Sequence, residues 1–215
     1  GINLNINGKR FQNENTNFAF GARSLLTQPQ TTAFGIWDSA YAYTQDEWET
    51  LGCSVNNVTP QKPLTPEQMI ASWDANVEKG TYFKADTLEE LAELMEVPAD
   101  EFVATIERWN EMAAAGKDED FNFPGSMMMT IDTPPFYATK EYADGLNTCG
   151  GLLVDTECRV LNKERQPIEG LFAAGITSGG MFFNTYPHNL NCLSHTRNCL
   201  MGYTIGKVLG EATEA

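Results

Sequence analysis

Residues 171–180 read LFAAGITSGG. Leu171-Phe172-Ala173-Ala174 is a short apolar run of strand type. It ends in Gly175 and then in Gly179-Gly180, where backbone can approach a ligand closely. Nucleotide sites in α/β proteins form where a parallel strand ends in such a turn. The usual partner of that turn is a G-x-G-x-x-G loop, and the chain contains none.

Just upstream, GGLLVDTECRVLNKERQPIEG (150–170) reads as strand, strand and turn, leading into a strand at 171. Downstream, LSHTRNCLMGYTIGKVLGEATEA (193–215) reads as a helix. Ser194 is its expected N-cap, and Gly202 and Gly206, four apart, would let it pack closely on a sheet. Further out, INLNINGKRF (2–11) alternates apolar and polar residues as a strand does, and Asn7-Gly8 predicts a type I′ hairpin. Residues 12–63, rich in Asn, Thr, Gln and aromatics, show little periodicity and are expected to be irregular with short helices. LTPEQMIASWDANVEKG (64–80) predicts a helix with Thr65 and Gln68 as a capping box, Pro66 at the first position and Gly80 as the stop. TYFKA (81–85) predicts a strand. DTLEELAELM (86–95), with Thr87 and Glu90 as another capping box, and PADEFVATIERWNEMAAAG (98–116), with Gly116 as its stop, predict a helix pair turning at Val97-Pro98. KDEDFNFP (117–124) reads as an acidic loop and PPFYATK (134–140) as a strand.

Composition sets limits on function. The 215 residues carry 14 basic and 29 acidic side chains, a formal charge of -15. Binding a phosphate backbone needs a basic surface, so the charge argues against a nucleic-acid partner, and an anionic membrane surface is disfavoured. No run of 18 apolar residues occurs, so no membrane-inserted helix is expected. The five cysteines show no C-x-x-C pair and no zinc spacing, so free thiols are expected, with no metal site. The chain opens on GINLNING, which reads as the middle of a strand and suggests a fragment.

NGKRFQNE (7–14), DTLEELAELMEVPADEFVATIERWNEMAAAGKDEDF (86–121) and TCGGLLVDTECRVLNKERQPIEGLFAAGITSGG (148–180) together resemble the flavoprotein family of soluble fumarate reductases, with urocanate reductase and 3-ketosteroid dehydrogenase as relatives. In that family an FAD domain is built from two separated stretches, with a capping domain inserted between them. The resemblance therefore implies an α+β fold: a capping (substrate-lid) domain of mixed helices and a small sheet over residues 1–147, then the C-terminal part of an α/β FAD-binding domain over 148–215. The N-terminal half, with its phosphate-binding turn, would lie upstream.

Family chemistry is hydride transfer to or from flavin N5 at an activated C=C bond, with a proton moved at the neighbouring carbon. The resemblance implies FAD as cofactor, a small unsaturated molecule as substrate, the missing N-terminal half as partner, and room for an electron-donor protein. Glu14 stands at a proton-relay carboxylate, but the Arg expected three residues on is Asn17. The expected donor Arg falls at Tyr41, near Asp38. Asn147 stands where a carboxylate-binding His is expected. A further carboxylate-binding Arg falls near Tyr186 and His188, in a stretch about three residues longer. The cationic clamps for a dicarboxylate are thus largely missing, and a substrate other than a simple dicarboxylate is expected. Ala174, Gly175 and Ile176 would lie by the ribityl chain, and the helix N-terminus at Cys192, Leu193 and Ser194 by the flavin pyrimidine edge. The other reading is a stand-alone α+β binding or scaffold module without flavin chemistry. Such a module has no need of GLFAAGITSGG.

Overall fold

The computed structural model describes residues 1–44, 64–144, 150–182, 186 and 192–213. They fall into two compact units, one holding the described residues up to 144 and the other those from 150 onward.

The first unit is a four-stranded antiparallel sheet with helices on both faces. Strands β1 (Ile2–Asn5), β2 (Thr32–Asp38), β3 (Tyr82–Ala85) and β4 (Phe136–Tyr142) lie in the order β1-β2-β4-β3. The register pairs Leu4 with Phe34, Ile36 with Ala138, and Phe83 with Ala138. Side chains alternate between faces along each strand, so this register places Ile2, Leu4, Phe34, Ile36, Phe136 and Ala138 together. Helices α3 (Leu88–Met95) and α4 (Ala99–Ala115) supply the facing layer through Leu91, Met95, Phe102, Ile106 and Trp109. Fully burying each large apolar side chain contributes roughly 1.5–3 kcal/mol. The opposite face carries a smaller aromatic cluster: Trp37, Tyr82 and Tyr137 from the sheet against Trp73 from α2 (Pro66–Glu78), with Tyr41 and Ala42 beside them.

The helix boundaries follow the predicted caps. Thr65 and Gln68 form the capping box of α2, and Thr87 accepts from the Glu90 amide at the start of α3. Gly116 closes α4 at φ 66°. Two expectations are corrected in this unit. Residues 32–38 form β2, an interior strand of the sheet, where an irregular segment was expected. β2 is buried at nearly every position, so it lacks the two-residue alternation that marks a half-exposed strand. At the hairpin after β1 only Gly8 takes positive φ, so the turn is not type I′. It is held instead by Asn5, whose side-chain oxygen accepts from the amides of Asn7 and Lys9.

The second unit pairs β5 (Arg159–Leu161) with β6 (Pro167–Phe172), antiparallel, beside helix α5 (Leu193–Thr213). Here too an expectation is corrected: the strand expected first in 150–170 is reduced to two isolated bridges, Leu152 with Ser178 and Val154 with Val160. α1 (Phe18–Leu26) also belongs to the first unit, with the Asn17 side chain accepting from Ala19 N–H as its N-cap.

Candidate functional site

The glycine-rich turn after β6 is held by three devices. Gly175 begins a single 3₁₀ turn (Gly175–Thr177) at φ 64°. The chain at 150–152 then crosses the turn at backbone contact: Leu152 N–H donates to Thr177 O and Gly179 N–H to Leu152 O, each at 2.8 Å. A Cβ on Gly151 would stand 2.5 Å from Thr177 O, and one on Gly179 would stand 2.7 Å from Gly151 O. These two glycines are required by the crossing of two backbones. Finally, Arg197, from the second turn of α5, donates to Ser178 O at 2.8 Å and to Ser178 Oγ at 2.6 Å. Ser178 is buried, and its hydroxyl passes the contact on by donating to Gly175 O at 2.7 Å.

What the turn leaves open matters as much. Ile176 is 47% exposed, and among the described residues nothing stands within 4 Å of where a Cβ on Gly180 would lie. Backbone reachable beside an exposed apolar side chain suits a flat heteroaromatic ring with a polar edge, so the residues present fit a flavin.

At the start of α5 the structure corrects the expected cap. The helix begins at Leu193, and Cys192 precedes it at φ 59°. Ser194 lies inside the first turn, and its amide donates to the Tyr186 hydroxyl at 3.1 Å. A phenol from the preceding segment therefore satisfies an amide that the helix itself cannot. The Tyr186 ring lies 4.8 Å from that of Phe182, and the Arg197 guanidinium lies 5.6 Å from the Phe182 ring. The structure thus brings Tyr186, Ser194 and the turn around Gly175 into one assembly. Arg197, Phe182 and Asn198 are participants that the sequence reading missed. Asn198 Oδ1 lies 3.2 Å from where a Cβ on Gly175 would stand. Arg197 and Asn198 fall three and four residues after Ser194, on the helix face that carries it, but that spacing alone does not mark a clamp.

Of the predicted residues in the first unit, Glu14 is half-buried, with its side chain only 8% exposed, and it is engaged. It accepts from Arg10 Nη2 at 2.7 Å, from Arg10 Nε at 3.1 Å and from Asn3 N–H at 3.1 Å. Arg10 also pairs with Asp118 at 3.0 Å and lies 4.6 Å over the Trp109 ring. Burial alone would raise the Asp118 pKa, but Arg10 and the amides of Phe123, Asp120 and Phe121 outweigh it and hold the carboxyl well below the usual range. For Glu141, burial, and then the charge of Glu14, push the carboxyl upward. Tyr41 packs on Trp73 at 6.2 Å, and burial raises its phenol. Asp38 is buried and accepts from the amides of Asp132 and Thr133, a structural use. Asn147 and His188 lie outside the described residues.

Among the described residues no helix is long and apolar enough to cross a membrane. Comparison with known proteins agrees with the resemblance carried by 148–180. The FAD binding domain family model matches residues 1–193. The chain is 34% identical over 211 residues to 3-oxosteroid 1-dehydrogenase of Mycolicibacterium smegmatis, covering 86% of this chain and 34% of that protein. It is 36% identical over 210 residues to NADH:acrylate oxidoreductase of Vibrio harveyi, covering 97% of this chain and 18% of that protein. Among solved structures, the open conformation of a flavocytochrome c3 fumarate reductase superposes with a TM-score of 0.67 at 25% identity, covering 95% of this chain and 31% of that one. The chain therefore spans about a third or less of the length of these relatives. With a family match over most of its length, the chain belongs to the FAD binding domain family of flavin-dependent oxidoreductases.

Proposed function

We propose that this chain is part of an oxidoreductase that reduces or forms an activated C=C bond. Residues 1–147 serve as its capping domain, and 148–215 as the C-terminal segment of its FAD domain. The observation that carries the reading is the second unit itself. Its glycine turn is pinned from two sides, yet the apolar surface around it is uncovered: Leu152, Leu153, Ile168, Leu171, Leu200 and Tyr203 are all exposed. No described residue of α5 is fully buried. A 21-residue helix with apolar residues and no buried face is stabilised only when another element covers it. The upstream half of the FAD domain is the element proposed to do so, and an electron-donor protein would act on the assembled enzyme.

When bound, FAD supplies the hydride exchange with the substrate. The residues of this chain do the rest. Ala174, Gly175 and Ile176 bind along the ribityl chain, and Cys192, Leu193 and Ser194 present the positive end of the α5 dipole. Tyr186 or Tyr41 is proposed to hydrogen-bond the substrate carbonyl or deliver the proton, with Glu14, Asn147 and His188 as the further catalytic candidates. Asn147 and the pair Tyr186 and His188, at positions where cationic carboxylate ligands are expected, favour an uncharged or carbonyl-bearing substrate over a simple dicarboxylate, because an unpaired buried carboxylate costs several kcal/mol.

Titrating FAD calorimetrically into this chain alone, and into the chain joined to its upstream segment, tests the reading. Weak or absent binding by the first and tight binding with yellow colour by the second is expected. Stoichiometric tight binding by the chain alone would mean that the cofactor site has been misplaced.

A further inference from the structure

The geometry points to Arg197 as a positioning residue that ties the glycine turn to the Tyr186 hydroxyl, so that the cofactor-side backbone and the substrate-side phenol are held as one piece. The links form a closed ring. Arg197 Nη2 grips Ser178 O and Oγ, with a longer reach of 3.4 Å to Gly179 O. The same guanidinium faces the Phe182 ring at 5.6 Å, Phe182 leans on Tyr186 at 4.8 Å, and Tyr186 Oη accepts from Ser194 N–H at 3.1 Å. Ser194 and Arg197 are three residues apart on α5, which closes the circuit through one helical turn.

Each link uses a property of its residue type. A guanidinium is planar, so its edge can donate to the turn while its face lies against an aromatic ring; an ammonium offers no such plane. Ser178 is 2% exposed, and a buried hydroxyl and carbonyl left without partners are costly, which fixes where the Arg197 fork must sit. Ser178 Oγ donates to Gly175 O while accepting from Arg197, so a shift of the guanidinium is passed to the first residue of the turn. At the other end, the bond from Ser194 occupies an oxygen lone pair of Tyr186, and the Phe182 ring restricts where the phenol can point. A reacting group displaced by about 1 Å can lose about 10²-fold in rate, so a residue that fixes this phenol without touching the substrate is expected to show in turnover.

The inference rests on the reading of Tyr186 as a substrate-facing group, and its test separates the two. In the full-length protein, Arg197→Met, Arg197→Lys, Tyr186→Phe and the Met/Phe double variant are compared. The Ser194 amide, observed in ¹⁵N-serine-labelled protein without substrate and assigned with Ser194→Ala, reports the Tyr186 contact directly. Tyr186→Phe is expected to move that resonance, Arg197→Met to move it in the same direction, and Arg197→Lys to behave as Arg197→Met, since the flat fork is lost in both. With a cyclic enone and reduced viologen, Arg197→Met is expected to lower kcat about tenfold or more with little change in KM, and to add nothing to Tyr186→Phe. A Ser194 amide unmoved by Arg197→Met, or losses that add in the double variant, would overturn the inference. If Tyr186→Phe leaves turnover unchanged, the catalytic reading of Tyr186 falls, and the amide shift alone decides on Arg197.

Discussion

Arg10 and Asp118, 108 residues apart, form a buried pair, with guanidinium nitrogens at 3.2 Å and 3.0 Å from the two carboxylate oxygens. Their side chains are 4% and 0% exposed. The pair fastens the turn after β1 to the loop after α4, and Asp118 also accepts from the amides of Asp120, Phe121 and Phe123. Removing one member of a buried pair strands the other, at a cost of about 3–5 kcal/mol. Asp118→Ala is expected to destabilise the chain by about that amount, since it also leaves three amides without their acceptor, and Arg10→Met by at least as much, because it strands Glu14 and Asp118 together. Urea unfolding of the 215-residue chain measures both, and equal midpoints for parent and Asp118→Ala would refute the claim.

The same pair sets an acid dependence. The folded-state pKa of Asp118 is depressed, so its contribution is fully present above the unfolded value of about 3.9 and is lost as pH falls through the lower folded value. Asp118→Asn is therefore expected to flatten the stability profile below about pH 4, near that unfolded value. Urea midpoints collected from neutral to strongly acidic pH check this. A variant whose profile stays as steep as the parent's would rule Asp118 out as the titrating group.

Glu141 is expected to act in the opposite sense. Its Oε1 lies 2.7 Å from where a Cβ on Gly35 would stand, against the backbone of β2, and its pKa is raised by burial and then by Glu14. A carboxyl with a raised folded pKa contributes stability that is complete below the unfolded value, about 4.3, and is lost as pH rises through the folded value. Glu141→Gln keeps the shape without the charge, so it is expected to be more stable than the parent at neutral pH, with the gap closing in acid. A glutamine variant less stable at neutral pH would show that the ionised carboxylate is the favoured form.

Glycines in the second unit divide into two kinds, with opposite predictions. Gly151 and Gly179 each meet backbone of the opposite segment at under 3 Å, so alanine at either is expected to break the crossing of 150–152 over the turn and abolish FAD binding in the full-length protein. Gly206, inside α5, has nothing among the described residues within 4 Å of where a Cβ would stand. Alanine there is expected to stabilise this chain by roughly 0.5–1 kcal/mol through helix propensity. In the full-length protein the same change should weaken packing of α5 on the upstream half. Thermal melts of both forms read the sign, and stabilisation in both would argue that nothing packs closely at Gly206.

Legibility in the sequence tracks how locally each feature is encoded. Thr65, Pro66 and Gln68 announce α2 within four residues, and the cap at Thr87 and the stop at Gly116 are equally local. β2 escapes a sequence reading because TAFGIWD is buried on both faces and owes its strand pairing at Gly35 to Asn3 and Thr139, partners far along the chain. At the site, the turn at Gly175–Gly180 is visible because glycines mark it. Arg197 is not, since nothing in HTRN distinguishes a surface arginine from one that clamps Ser178. Glu14 is found by its motif, but its link through Arg10 to Asp118 emerges only from the folded loop.

Protonation of substrate in the assembled enzyme is expected to come from a tyrosine rather than an arginine of this chain. Six arginines occur in the chain, and four of them are committed to structure: Arg10 to Glu14 and Asp118, Arg108 to Asp120, Arg159 to Asp155 and Glu157, and Arg197 to Ser178. Arg23 lies over the Phe20 ring, and Arg165 occupies the turn between β5 and β6. An arginine acid drawn from those four would have to abandon a partner, whereas a tyrosine can accept one hydrogen bond and still donate its proton. General acid catalysis is typically worth about 10²–10⁴-fold, so replacing the true donor by phenylalanine should lower turnover by about that factor with flavin content intact. Tyr41→Phe and Tyr186→Phe in the full-length protein, assayed with a cyclic enone, fumarate and urocanate, should single out one tyrosine and show fumarate as a poor substrate. Turnover at the parent rate in both variants would clear both tyrosines and make Glu14 and His188 the next residues to replace. Fumarate turning over fastest would instead return the choice to a substrate held by cations from outside this chain.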